Sequence, residues 1–130
     1  MHIPAGFGAV TPYIFVDEAE AYVRFLESAL GGREIGRSTS PDGRIANCQI
    51  RFATTTIMVS AASAQFPASR SAFYLYVEDA DAAMTTALRN GAQCIMDVAD
   101  RPYGDRQGGI VDPSGNIWWV SQRLTDAPYF

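Results

Sequence analysis

Lysine is missing from this chain of 130 residues, and all ten basic residues are arginines. Schiff-base chemistry is thereby excluded. Histidine occurs once, at His2. No serine or cysteine has any other histidine to activate it, so nucleophilic catalysis finds no support. Cysteine occurs twice, at Cys48 and Cys94, with no Cys-x-x-Cys. Both lie in apolar, strand-like segments and are expected to be buried free thiols of a reducing cytoplasm. There is no glycine-rich phosphate loop: Gly104, Gly108 and Gly109 lack the strand-loop-helix context and the lysine. Basic runs are absent, the net charge is −4 and the pI is about 4.8, so no nucleic-acid partner is expected. No apolar run approaches the roughly 20 residues of a membrane span. Met1 to Gly8 lacks the pattern of a secretory leader. The expectation is a cytoplasmic protein without a membrane partner.

What is present is apolar residues, at 48%, against 18% charged, which is the balance of a globular chain. The length suits one domain with a real core. Val10 to Val16 is rich in β-branched and aromatic residues and predicts a strand. Asp17, Glu18 and Glu20 suit the positive end of a helix, with Asp17 as candidate N-cap. Ala19, Val23, Leu26 and Leu30 follow at helical spacing, and Gly31-Gly32 ends the helix. Three strands are expected after it: Glu34 to Arg37, Arg44 to Phe52 and Thr55 to Ser60, with a Pro41-Asp42-Gly43 turn between the first two.

The same order recurs. Ser71 to Val77 predicts a strand. Glu78, Asp79 and Asp81 open a helix carrying Ala80, Met84, Ala87 and Leu88 on its apolar side, and Asn90-Gly91 stops it. Strands follow at Ala92 to Met96, Gln107 to Val111 and Asn116 to Ser121, the last two around the Asp112-Pro113-Ser114-Gly115 turn. A gapless shift of 61 residues overlays Tyr13 on Tyr74, Val16 on Val77, Pro41 on Pro102, Gly43 on Gly104 and Ser60 on Ser121. These identities fall on the same punctuation in both halves, which implies a repeated supersecondary unit. The reading is one domain of two modules, residues 10–60 and 71–123, with a linker at 61–70 and a tail at 124–130.

Duplicated βαβββ units of this length resemble the glyoxalase/bleomycin-resistance/dioxygenase (vicinal oxygen chelate) superfamily. The resemblance rests on TPYIFVDEAEAYVRFLESALGG, on PDGR at Pro41 to Arg44, on YGDR at Tyr103 to Arg106 and on DPSGNIWW at Asp112 to Trp119. It implies an α+β fold: two tandem βαβββ modules forming curved mixed sheets around a central concavity, helices on the outer faces. Strand alternation then places Pro12, Ile14 and Val16 toward the helix and Thr11, Tyr13 and Phe15 toward the concavity. In the second module Phe73, Leu75 and Val77 face the helix and Ala72, Tyr74 and Tyr76 face the cavity.

Enzymes of that superfamily hold a divalent metal with His, Gln or Glu. Carried over by motif, the ligand positions are Thr11, Met58, Ala72 and Trp119. None is a normal ligand for a hard or borderline divalent cation. No metal and no other cofactor is therefore expected.

The polar candidates left for the cavity are Tyr13, Asn47, Gln49, Arg51, Tyr74, Tyr76, Tyr103 and Arg106, with Trp119 as a wall. Asn47 and Gln49 can hydrogen-bond a ligand but cannot act as acid or base near neutral pH. Arg106 suits an anionic ligand group, or a partner among Asp100, Asp105 and Asp112. Asn116 is read as a left-handed turn residue. The function expected is a metal-free binding protein, a homodimer by family resemblance, that sequesters an apolar or aromatic ligand between Tyr and Trp side chains. Two other readings stand beside it. One is a metal-dependent lyase or dioxygenase with relocated ligands. The other is a non-binding domain whose pocket is filled by Met58, Trp118 and Trp119.

Overall fold

The computed structural model describes residues 2–130 and consists of two compact units, one ending at Ser69, the other Arg70–Phe130. Each carries the βαβββ order and one open, four-stranded mixed sheet with one helix, so the chain has the α+β class that the family resemblance implied. The first unit comprises β1 (Tyr13–Val16), α1 (Ala19–Leu30), β2 (Arg33–Thr39), β3 (Ile45–Phe52) and β4 (Thr55–Ala61). Its sheet order is β1-β4-β3-β2, with β1 parallel to β4 and the other pairs antiparallel. The second unit comprises β5 (Ala72–Tyr76), α2 (Ala80–Arg89), β6 (Gln93–Asp100), β7 (Asp105–Val111) and β8 (Ile117–Arg123). Its order, β5-β8-β7-β6, repeats the first. No helix among the described residues is long and apolar enough to cross a membrane.

Strand parity explains both cores. Ile14 and Val16 of β1 are buried with Leu26, Ile50 and Val59, while Tyr13, of the opposite parity, is 44% exposed. In the second unit Ile110, Trp118 and Val120 are buried with Ala80, Met84 and Ala87 of α2. Each large apolar side chain so buried contributes about 1.5–3 kcal/mol. The α1 stripe buries Tyr22, Val23, Phe25, Leu26 and Ala29 on one side. The helix stops at Gly31, whose φ of 77° lets its N–H turn back to the Leu26 carbonyl.

Several local expectations are corrected. Asp17 is not the N-cap of α1. Glu18 holds that place, since Asp17 lies one residue too early, and the Glu18 side chain makes no capping bond. In α2 the pattern works as expected: Asp79 caps, accepting from the Ala82 N–H at 3.0 Å. Strand β1 begins at Tyr13, not Val10, since Pro12 has no N–H and joins the ladder only through its carbonyl, which accepts from the Met58 N–H. Asn116 is not left-handed; Gly115 takes the positive φ, 86°, and Asn116 Oδ1 instead accepts from the Ser71 N–H at 2.8 Å. Cys94 is exposed on the edge strand β6, whereas Cys48 is buried. The bulges of β6 between Cys94 and Ala99 break the alternation that had placed it inside.

Candidate functional site

The open face of the second sheet is set by register. Tyr74 pairs with Trp119 and Trp119 with Gly109; Tyr76 pairs with Ser121 and Ser121 with Gln107. Directly opposed residues share a face. Gly108, one step from Gly109, faces the other way: a Cβ there would stand 3.1 Å from the Met84 sulfur of α2. Tyr74, Tyr76, Gln107, Trp119 and Ser121 therefore stand together, away from the helix.

On this face lies a cavity of about 720 Å³. Four expected residues line it: Tyr74, Tyr76, Tyr103 and Trp119. Met96, Gln107, Tyr129 and Phe130 line it as well and were not anticipated. Six of these eight are aromatic, so the walls offer ring faces far more than charge. Trp119 can lie flat here because Gly109 has no side chain: a Cβ would fall 2.5 Å from the Trp119 ring.

The polar part of the cavity is organised by Asp105, which is fully buried. Its Oδ2 accepts from Ser121 Oγ at 2.8 Å, Tyr129 Oη at 2.7 Å and Tyr74 Oη at 3.1 Å. Its Oδ1 accepts from Arg123 Nη1 at 2.8 Å. Burial alone would push the Asp105 carboxyl up. The bonds from Arg123, Tyr129, Ser121 and Tyr74 together outweigh that and hold it below the usual carboxylate range. Burial pushes the Tyr74 phenol up, and its bond to Tyr76 raises Tyr129 further, so both phenols are neutral donors at pH 7. Tyr76 Oη lies 2.8 Å from Tyr129 Oη, and Tyr103 Oη donates to Gln107 Oε1. Arg123 lies over the Tyr129 ring, 3.9 Å from its centroid. The site thus holds an ionised carboxylate with every donor around it already engaged, which suits recognition better than proton abstraction.

Arg106 is not part of this cavity. Strand alternation turns it to the opposite face from Asp105 and Gln107, where it donates to Asp81 Oδ1 and Oδ2 and to Asp100 Oδ1 at 2.7–3.0 Å. Those two carboxylates satisfy its fork and hold its charge firmly.

The first unit holds the remaining expected residues. Tyr13 Oη bonds Ser60 Oγ at 2.6 Å, and its ring stacks on Phe15 with centroids 4.9 Å apart. Gln49 Nε2 reaches Asn47 Oδ1 at 3.5 Å. Arg51 Nε donates to Thr56 Oγ1 at 3.2 Å. Gln49, Thr11 and Met58 line a cavity of about 540 Å³ beneath residues His2 to Ala9. Of the four positions where the resemblance would put metal ligands, Thr11 and Met58 thus offer a hydroxyl and a thioether, Ala72 offers nothing and Trp119 an indole. Among the described residues no three His, Cys, Asp or Glu side chains are grouped to hold an ion. This donor set does not fit a hard divalent cation.

What sequence reading missed in the second unit had partial signals. Gln107 and Ser121 share parity with Trp119 and were legible on that basis. Asp105 was hidden because the strand was read from Gln107, two residues late. Tyr129 lies beyond the last strand, where no periodicity points.

Comparison with known proteins places this geometry. A family model described as Glyoxalase/Bleomycin resistance protein/Dioxygenase superfamily matches residues 6–120. The uncharacterized protein Rv0887c of Mycobacterium tuberculosis is 30% identical over 129 residues, covering 91% of this chain and 76% of its own. Among solved structures, TioX from Micromonospora sp. ML1 superposes with a TM-score of 0.71 at 19% identity, covering 89% of this chain and all of its own. TnmS3, an antibiotic binding protein from Streptomyces sp. CB03234, superposes at 0.68 with 21% identity, over 95% of this chain and 98% of its own. At these identities the structures speak for the fold alone.

Proposed function

The chain belongs to the glyoxalase/bleomycin resistance protein/dioxygenase superfamily, and from that footing we propose that it is a metal-free protein that binds a small aromatic molecule in the cavity of its second unit. The observation that carries this reading is the lining itself. Six aromatic side chains surround about 720 Å³, enough for a ligand of two or three fused rings, and four of them carry hydroxyls. The antibiotic binding protein among its structural relatives supports a small-molecule binding role. So does the donor set at the family's ligand positions, which carries no pair of imidazoles or carboxylates. The proposal extends to a homodimer in the cytoplasm, with no nucleic-acid partner for so acidic a chain.

The test is a titration with planar aromatic compounds, following tryptophan emission, with Trp119→Phe as the control. Saturable quenching in the parent and its reduction in the variant are expected. A panel of two- and three-ring compounds giving no saturable change would overturn the reading. So would elemental analysis finding one tightly held divalent metal per chain.

A further inference from the structure

One aromatic ring at the cavity is held in a way the others are not. Tyr129 lies in the segment after β8, where residues 124–130 are exposed, and its own side chain is 41% exposed. Its hydroxyl is nonetheless gripped at both ends of its bonding capacity: it donates to the buried Asp105 Oδ2 at 2.7 Å and lies 2.8 Å from Tyr76 Oη. Its ring face carries the Arg123 guanidinium at 3.9 Å. The carboxylate, the phenol and the cation all belong to strands of the sheet. The backbone that brings Tyr129 there is tied at its start, where Leu124 N–H donates to the Gly104 carbonyl at 2.9 Å. Arg123 Nη2 donates to the Ala127 carbonyl at 2.5 Å, and Ala127 N–H donates to Thr125 Oγ1 within the segment itself.

A receptor fixed on strands and an occupant carried on an exposed segment are the parts of an exchangeable contact. We propose that Asp105, Tyr76 and Arg123 form a subsite for a hydroxyaromatic ring, a phenol or naphthol group of the ligand, and that Tyr129 is its internal occupant, displaced when the ligand binds. The inference rests on the cavity being the ligand site and adds the chemical class of the ligand to it. Asp105 accepts from a phenolic O–H, Tyr76 completes the second hydrogen bond, and Arg123 favours the electron-rich ring face. An aromatic hydrocarbon meets Arg123 alone and makes neither hydrogen bond. A tethered occupant also competes at an effective concentration in the millimolar range, so apparent affinity is lowered by the fraction of time the subsite is filled.

The experiment titrates 2-naphthol and 2-methoxynaphthalene, which share a ring system and differ in the O–H donor. The proteins are the full chain, Tyr129→Ala, and Tyr129→Ala combined with Tyr76→Phe, each checked for an unchanged circular dichroism spectrum. Tyr129→Ala should bind 2-naphthol about tenfold or more tighter than the parent does. It should prefer 2-naphthol over the methyl ether by a similar factor, because only the naphthol donates to Asp105, and Tyr76→Phe should weaken both compounds by removing the donor to the ligand oxygen. Equal binding of the two compounds to Tyr129→Ala, or no gain over the parent, would overturn the subsite while leaving the cavity as an apolar binding site. Neither compound binding any of the three folded proteins would remove both readings together.

Discussion

Trp118 and Trp119, adjacent in β8, point to opposite faces of the second sheet. Trp118 is 3% exposed, stacks on Phe73 with centroids 4.5 Å apart and donates through Nε1 to Asp112 Oδ2 at 2.9 Å. Trp119 lies over Gly109 and lines the cavity. The pair should therefore separate stability from binding. Trp118→Ala is expected to cost about 3–5 kcal/mol in denaturant unfolding, from lost packing and a cavity left behind. Trp119→Ala should leave most of the stability and weaken aromatic ligands about tenfold or more, with one stacking wall gone. Equal stability losses in the two variants would contradict the assignment of faces.

Gly109 supplies the space under Trp119. Gly109→Ala puts a methyl 2.5 Å from a ring carbon, closer than side-chain carbons approach, so the indole must move. The expected outcome is shifted tryptophan emission and weakened ligand binding, with a stability loss of about 1–3 kcal/mol. An unchanged emission maximum with unchanged affinity would mean that Trp119 does not depend on the glycine for its position.

The repeat made the architecture legible in the sequence. Tyr13 and Tyr74 do occupy matching places, and each hydroxyl meets the corresponding serine system, Ser60 in one unit and the Ser121-Asp105 pair in the other. Parity read off β1 and β5 sorted inward from outward residues, because alternation is a property of the pleat and needs no tertiary knowledge. Arg106 was left open between an anionic ligand group and an aspartate; it pairs with Asp100, one of the partners named for it, and with Asp81 of α2, which only the fold brings beside it. Asp105 was named only as a possible partner of Arg106 and lay outside the strand read from Gln107, although Arg44 at the matching position in the first half already hinted that the copies diverge there. Tyr129 reaches the cavity through an irregular segment, whose course follows from tertiary contacts and leaves no periodic trace.

The cysteines should react at very different rates. Cys48 is buried on β3, and burial, with Glu34 nearby, pushes its thiol up to about 11. Cys94 is exposed on β6, although partial burial and Asp97 also raise its thiol. In the native protein at pH 8 an aromatic disulfide reagent should label one thiol per chain within minutes and the second only after denaturation. Cys94→Ser should abolish the fast phase, and two equally fast thiols would show that the first unit opens readily around Cys48.

Acid should expose the dependence of the second unit on Asp105. Its carboxyl is fully buried and carries four hydrogen bonds, and it is held below its ordinary range. The unfolded chain, with an ordinary aspartate near pH 3.9, therefore binds more protons than the folded one in the interval below about 4. The stabilisation from this group is complete at neutral pH and is lost as the pH falls through that interval toward the lower folded value. Asp105→Asn should be less stable than the parent at pH 7, because the amide cannot accept from Ser121, Tyr129, Tyr74 and Arg123 together. An unsatisfied buried hydroxyl at Ser121 alone would cost about 1–3 kcal/mol. The gap between parent and variant should then narrow as the pH drops below 4. Glu34 and Asp81 are also held low, by Arg37 and Arg106, and they titrate in both proteins, so the difference between the two isolates Asp105. Denaturant midpoints measured for both proteins from pH 7 to pH 3 would read this directly. A gap that stays constant across the range would mean the Asp105 carboxyl is not held below its unfolded value, and that the four donors do not converge on an ionised group.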